Sequence, residues 1–121
     1  MDRQTVARRY LDHLAAGKLS ELLTLFAPGA IVHSPLYGSR LAPEFYKDLL
    51  AATTSSELEW RATYLNPDDP LGAALEFTYR WTLATGEVRS FQCVDLLRFD
   101  EAMHITQLTI IYDTAGAARP Q

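Results

Sequence analysis

One cysteine, Cys93, is present among 121 residues, so an intramolecular disulfide is excluded and no cysteine spacing suited to a metal exists. The three histidines, His13, His33 and His104, are scattered without ligand spacing, and no metal and no cofactor are expected. A glycine-rich phosphate loop and a nucleophile elbow are both missing. Basic runs are missing too. The longest is Arg8-Arg9, and with a net charge of −4 and a pI near 5.2 this argues against nucleic acid and against an anionic membrane surface. No apolar stretch is long enough to span a bilayer, and Met1-Asp2-Arg3-Gln4 lacks the apolar core of a signal peptide. The expectation is a cytoplasmic protein, residues 1–121 forming one domain without repeat or linker, with 115–121 a frayed tail.

What is present divides at about residue 57. Val6, Tyr10 and Leu14 recur at helical spacing, Ala7 and Leu11 widen the stripe, and Gly17 supplies a stop. A short second helix is expected from Ser20, with Leu19, Leu22, Leu23 and Phe26 as its apolar side, closed by Pro28-Gly29. Ala30 to Ser34 reads as a short strand ended by Pro35, and Tyr37-Gly38-Ser39 as a loop. Pro43 suits the first turn of a third helix that buries Phe45, Tyr46, Leu49 and Leu50.

Beyond Glu57 the period becomes two. Trp60, Ala62 and Tyr64 alternate with Glu59, Arg61 and Thr63. After the turn Asn66 to Pro70, Ala73, Leu75, Phe77, Tyr79, Trp81 and Leu83 share one face. Thr85-Gly86-Glu87 connects to a strand from Val88 to Phe99, and Ile105 to Tyr112 is the last strand. The fold class is α+β: about three N-terminal helices packed on a curved, mostly antiparallel sheet, with a pocket between them.

Asp95 is the residue that breaks the pattern. Alternation along Phe91 to Phe99 places it beside Phe91, Cys93, Leu97 and Phe99, in an apolar stripe where a carboxylate loses hydration and gains proton affinity. Two readings stand side by side: a neutral acid that donates to a developing oxyanion, or a structural carboxylate satisfied by a cation or by backbone amides. Tyr10 is a core tyrosine or a second donor. His33 is a strand-end histidine or a general base, and nothing marks Ser34 as an activated nucleophile. On a regular strand at most one of these two faces the pocket. Asp113, in register with Ile111 and Thr109, caps a turn or serves as a pocket acid. Val32, Ser34, Phe45, Phe91 and Leu97 are the expected pocket lining.

Three stretches carry a resemblance: Ala7-Arg8-Arg9-Tyr10-Leu11, Leu25 to Pro35, and Val94 to Glu101. In that order and spacing, from about Val6 to Asp113, the chain resembles the nuclear transport factor 2-like superfamily, and within it the SnoaL-like and ketosteroid-isomerase-like members. The resemblance implies a cone-shaped fold, a deep pocket and homodimers formed through the sheet. Ketosteroid isomerases combine a carboxylate base with an oxyanion hole of tyrosine and protonated aspartic acid. The tyrosine falls on Tyr10 and the protonated acid on Asp95, while the base position falls on Ser34, which has no carboxylate. His33 and Asp113 are left as candidates for moving the proton. Limonene epoxide hydrolases use an Asp-Arg-Asp set; here Glu76 and Thr78 occupy two of those places and Asp113 alone matches.

The expected ligand is a small apolar carbonyl compound, bound for isomerase- or cyclase-type proton transfer. The other reading is a non-catalytic ligand-binding or dimeric interaction module. A separate expectation is that Phe77, Tyr79 and Trp81 leave enough aromatic surface exposed to drive homodimerisation.

Overall fold

In the first helix Asp2 caps the N-terminus, accepting from the Thr5 amide at 2.8 Å, and Gly17 ends it in the left-handed conformation at φ 68°. This helix, α1 (Arg3–Ala16), buries Val6, Ala7, Tyr10, Leu11 and Leu14, the stripe read from the spacing. The computed structural model describes residues 1–113, so the tail expected at 115–121 lies outside the described residues. The helices α2 (Leu19–Leu23) and α3 (Ala42–Ala51) follow, the latter with proline in its first turn and Phe45, Tyr46 and Leu49 buried. No helix among the described residues is long and apolar enough to cross a membrane.

Six strands form one curved, unclosed sheet in the order β2-β1-β6-β5-β4-β3. They are β1 (Phe26–Ser34), β2 (Gly38–Leu41), β3 (Thr53–Leu65), β4 (Gly72–Leu83), β5 (Val88–Phe99) and β6 (Ile105–Ile111). Only β1 and β6 pair in parallel; the other neighbours are antiparallel.

Two local expectations are corrected. Phe26 begins β1 instead of ending α2, and the strand runs on through Pro28-Gly29. The β1–β6 register shifts between Phe26 and Ile31, so proline's missing N–H and the positive φ of Gly29 (77°) are accommodated as an irregularity, not a chain break. Tyr37-Gly38-Ser39 is likewise not simply a loop: Gly38 and Ser39 open β2, a strand that hairpins back onto β1 and pairs Ser39 with His33.

Ranks of side chains cross the inner face of the sheet. Val32, Leu108, Leu97 and Ala73 make one rank, and Ile110, Asp95 and Leu75 the next. Cys93–Phe77, Phe91–Tyr79 and Arg89–Trp81 then follow toward the β4–β5 hairpin. The helices lie over this face, and each large apolar side chain buried there stabilises by about 1.5–3 kcal/mol. Phe77, Tyr79 and Trp81 are all buried within this layer, so the aromatic face expected to drive dimerisation is not exposed. Their alternation marks the core side of β4, and the helices cover it. Exposed apolar side chains of the sheet include Trp60 and Leu65 at the β3 edge of the inner face and, on the opposite, outer face, Tyr64 and Leu96 in one rank with Ile111 in the next.

Candidate functional site

Strand alternation carries Asp95 into the apolar face of β5, where it is 1% exposed and the one charged side chain in the described core. Its Oδ1 accepts from the Cys93 thiol at 3.3 Å, an i,i+2 contact on the same face of the strand. Burial pushes its carboxyl up to about 7, against the opposing hydrogen bonds of Cys93 and Tyr10. At neutral pH the group is therefore poised between acid and carboxylate.

Across the layer, α1 and α3 each contribute a phenol. The hydroxyls of Tyr10 and Tyr46 are 2.7 Å apart and buried, with the rings edge to face at 6.1 Å. Burial drives both well above the ordinary tyrosine value, and the nearby Asp95 charge pushes the same way, so both remain protonated. A pair of phenols holds two protons and spends one on the bond between them. The other remains for donation toward Asp95 or a bound group.

Tyr10 and Asp95 border a cavity of about 50 Å³, walled by aromatic rings and lined at its exposed side by Leu36 and Tyr37 of the β1–β2 turn; Tyr46 is not on its wall. Ser34, Phe45 and Phe91 line it, as do Tyr10 and Asp95. Val32 and Leu97 do not. They sit in the rank below Asp95, wholly packed in the core, because a step of two residues along a strand keeps the face but moves some 6–7 Å along it.

His33 and Asp113 are also outside the cavity. Alternation turns His33 away from Val32 and Ser34 onto the outer face, where its Nδ1 lies 2.6 Å from the Ser39 hydroxyl. Asp113 is exposed and borders a separate surface hollow with Ile111 and Val94. Glu76 too is engaged away from the cavity, accepting from Tyr64 and Gln92 at 2.7 and 2.6 Å.

Several residues at or beside the cavity were not singled out from the sequence. Tyr46 is the most telling, since its one available signal was a phenol within the apolar stripe of α3, the same oddity that drew attention to Tyr10. Tyr112 follows Ile110 at a step of two and joins the inner wall, burial pushing its phenol up to about 12. Tyr37 comes from the turn and packs edge to face on Phe45 at 5.8 Å. Among the described residues no group of three or more His, Cys, Asp or Glu side chains could hold a metal ion.

The family model of the SnoaL-like domain matches residues 7–108, most of the chain. The chain belongs to the SnoaL-like family. Its fold is that of the nuclear transport factor 2-like superfamily, a cone of helices on a curved sheet. Among solved structures, the epoxide hydrolase/cyclase-like enzyme SalBIII, described for pyran ring formation in the polyether salinomycin, superimposes with a TM-score of 0.82. It is 12% identical, over 94% of this SnoaL-like chain and 92% of its own. The Δ5-3-ketosteroid isomerase of a Mycobacterium species gives 0.78 at 18% identity, over 93% and 94%. A SnoaL-like protein of unknown function from Burkholderia thailandensis gives 0.70 at 17%, over 91% and 92%. At these identities the likeness is one of fold. No curated relative matches the sequence.

Proposed function

We propose that this SnoaL-like domain binds a small apolar carbonyl compound in the cavity, with Tyr10 and Asp95 donating to the carbonyl oxygen. The observation carrying this is a nearly inaccessible acid, poised near neutrality, at the wall of an aromatic cavity beside a protonated phenol pair. Donors held in a water-poor site stabilise a developing enolate far better than water does, and proton transfer of the isomerase or cyclase type is the chemistry such a site supports. With His33 and Asp113 outside the cavity, Asp95 is the only carboxylate on its wall among the described residues, and as the donor to the oxygen it cannot also be the base, so a water molecule is left to carry the α-proton.

Ser34 on the cavity wall, where the related isomerases place a carboxylate, favours a second reading: ligand binding without turnover. One NMR experiment separates the two. Carbonyl-13C cyclohexanone bound by the native chain should shift downfield, and Tyr10→Phe or Asp95→Asn should remove that shift. Exchange of its α-deuterons at a rate above buffer supports catalysis, and binding without exchange supports the second reading. Binding with an unperturbed carbonyl signal would exclude both donors.

The homodimer implied by the family resemblance is assigned in this proposal to the outer face. Tyr64, Leu96 and Ile111, exposed at 56%, 43% and 48%, supply its apolar centre.

A further inference from the structure

Arg89 stands in the last inner rank of β5, opposite Trp81, where alternation calls for another apolar side chain. Its side chain is 19% exposed, and its guanidinium carbon lies 6.0 Å from the Trp81 ring centroid. The contact with Glu87 is a long one, 3.4 Å from Nη2 to Oε2. Its Nε is buried without a hydrogen-bond partner, alone in this among the buried side-chain nitrogens and oxygens described. Buried donors are seldom left unpaired, and such a vacancy calls for an explanation.

Other arginines have explanations of their own. Arg40, Arg61, Arg80 and Arg98 also pair with carboxylates, but their side chains are 28%, 51%, 52% and 50% exposed, and Arg3 donates to three backbone carbonyls. Arg89 instead sits beside cavity-wall residues: Trp81 faces it across the ladder, Phe91 is the next inner residue on its own strand, and its charge reaches the Tyr112 phenol.

We propose that Arg89 is an anion-binding residue for the cavity's ligand, and that this ligand is an elongated apolar carboxylate. Two dimensions support the shape. The cavity, at about 50 Å³, is roughly a third of the 150 Å³ that takes one benzene ring, so it encloses only one end of a ligand and the rest must leave through the mouth. Arg89 and Asp95 are six residues apart, about 20 Å along an extended strand, and after the reach of both side chains roughly 10–15 Å separates the groups they would hold. A carboxylate matches the planar fork of Nε and Nη, and binding it there satisfies the orphan donor. This inference rests on the carbonyl-binding reading of the cavity and adds the chemistry of the ligand's far end.

The test compares 10-oxoundecanoate, whose terminal methyl ketone suits the small cavity, with its neutral amide, by isothermal titration and by the 15N resonance of the Arg89 Nε–H. The native chain should bind the carboxylate at least about tenfold more tightly than the amide. The Nε–H signal should move downfield with the carboxylate only. Arg89→Met should erase the preference and leave amide binding unchanged. Glu87→Gln, which removes the competing carboxylate and keeps Arg89, should tighten carboxylate binding several-fold, and it serves as the test if Arg89→Met does not fold. Equal binding of the two compounds, or a preference that survives in Arg89→Met, overturns the assignment while the amide's binding leaves the cavity reading standing. Failure of both to bind overturns the assignment together with the cavity reading.

Discussion

The hydroxyls of Tyr10 and Tyr46 lie 2.7 Å apart, brought together from two helices that are 36 residues distant in sequence. Each phenol is the other's buried partner, and the stability of the helix layer is thereby tied to the donor set at the cavity. Tyr46→Phe strands the Tyr10 hydroxyl and should cost about 1–3 kcal/mol. The double variant Tyr10→Phe/Tyr46→Phe should cost less than the two single variants added, with a coupling of about 1 kcal/mol in a double-mutant cycle read by urea denaturation. Strict additivity would mean that the two hydroxyls do not depend on each other.

Asp95 gives stability a pH dependence of definite sign. Its ordinary value is 3.8 and its folded value about 7, so between these the folded chain keeps a proton that the unfolded chain has lost. Stability is full below pH 3.8, declines as pH rises toward 7, and levels off above, the total loss being up to roughly 4 kcal/mol. Asp2 and Asp69, whose carboxyls are held below the ordinary value by hydrogen bonds from Thr5 and Arg98, act in the opposite sense but below about pH 4. Urea midpoints at pH 5, 6, 7 and 8 should therefore fall steadily for the native chain, and Asp95→Asn should flatten the series. A native midpoint constant over this range would place Asp95 in the ordinary carboxylate range.

Ser34 faces the cavity and His33 does not. Ser34→Asp should put a second carboxylate on the cavity wall and raise α-deuteron exchange of cyclohexanone by about a hundredfold, the lower end for a positioned general base. His33→Asp should leave exchange unchanged, and His33→Ala should leave cyclohexanone affinity unchanged. A response to either His33 variant that matches the Ser34 effect would show that the strand's inward and outward faces have been exchanged.

Oligomeric state tests the outer face. Sedimentation of the native chain at micromolar concentration should give twice the chain mass, and the pair Leu96→Lys/Ile111→Lys should give the chain mass with an unchanged circular dichroism spectrum. Changes on the inner face at Tyr79 should lower stability without altering the native mass.

Strands β4 and β5 were plain in the sequence because they alternate cleanly, a packed face with Leu75, Phe77 and Tyr79 and a wet face with Glu76, Thr78 and Arg80. The same alternation isolated Asp95, since a carboxylate among Phe91, Cys93 and Leu97 is conspicuous at period two. The spacing of Val6, Tyr10 and Leu14 marked α1 with equal clarity. In β3, by contrast, a register shift after Trp60 puts Trp60 on the inner face and Ala62 and Tyr64 on the outer one. Less legible were β2, four residues with no periodicity to show, and the passage of β1 through Pro28-Gly29, where local breaking signals are overridden by pairing with β6.

Periodicity and composition alone determined the fold class, the helix-then-strand order and the burial of Asp95, because each follows from a repeat along the chain. Only the tertiary structure decided which polar groups meet. The partnership of Tyr10 with Tyr46, the turning of Ser34 inward and His33 outward, the withdrawal of Val32 and Leu97 into the core and the unpartnered Nε of Arg89 all depend on how separate elements are registered and how deep each rank lies. Those are properties of packing between segments far apart in sequence, and no local pattern encodes them.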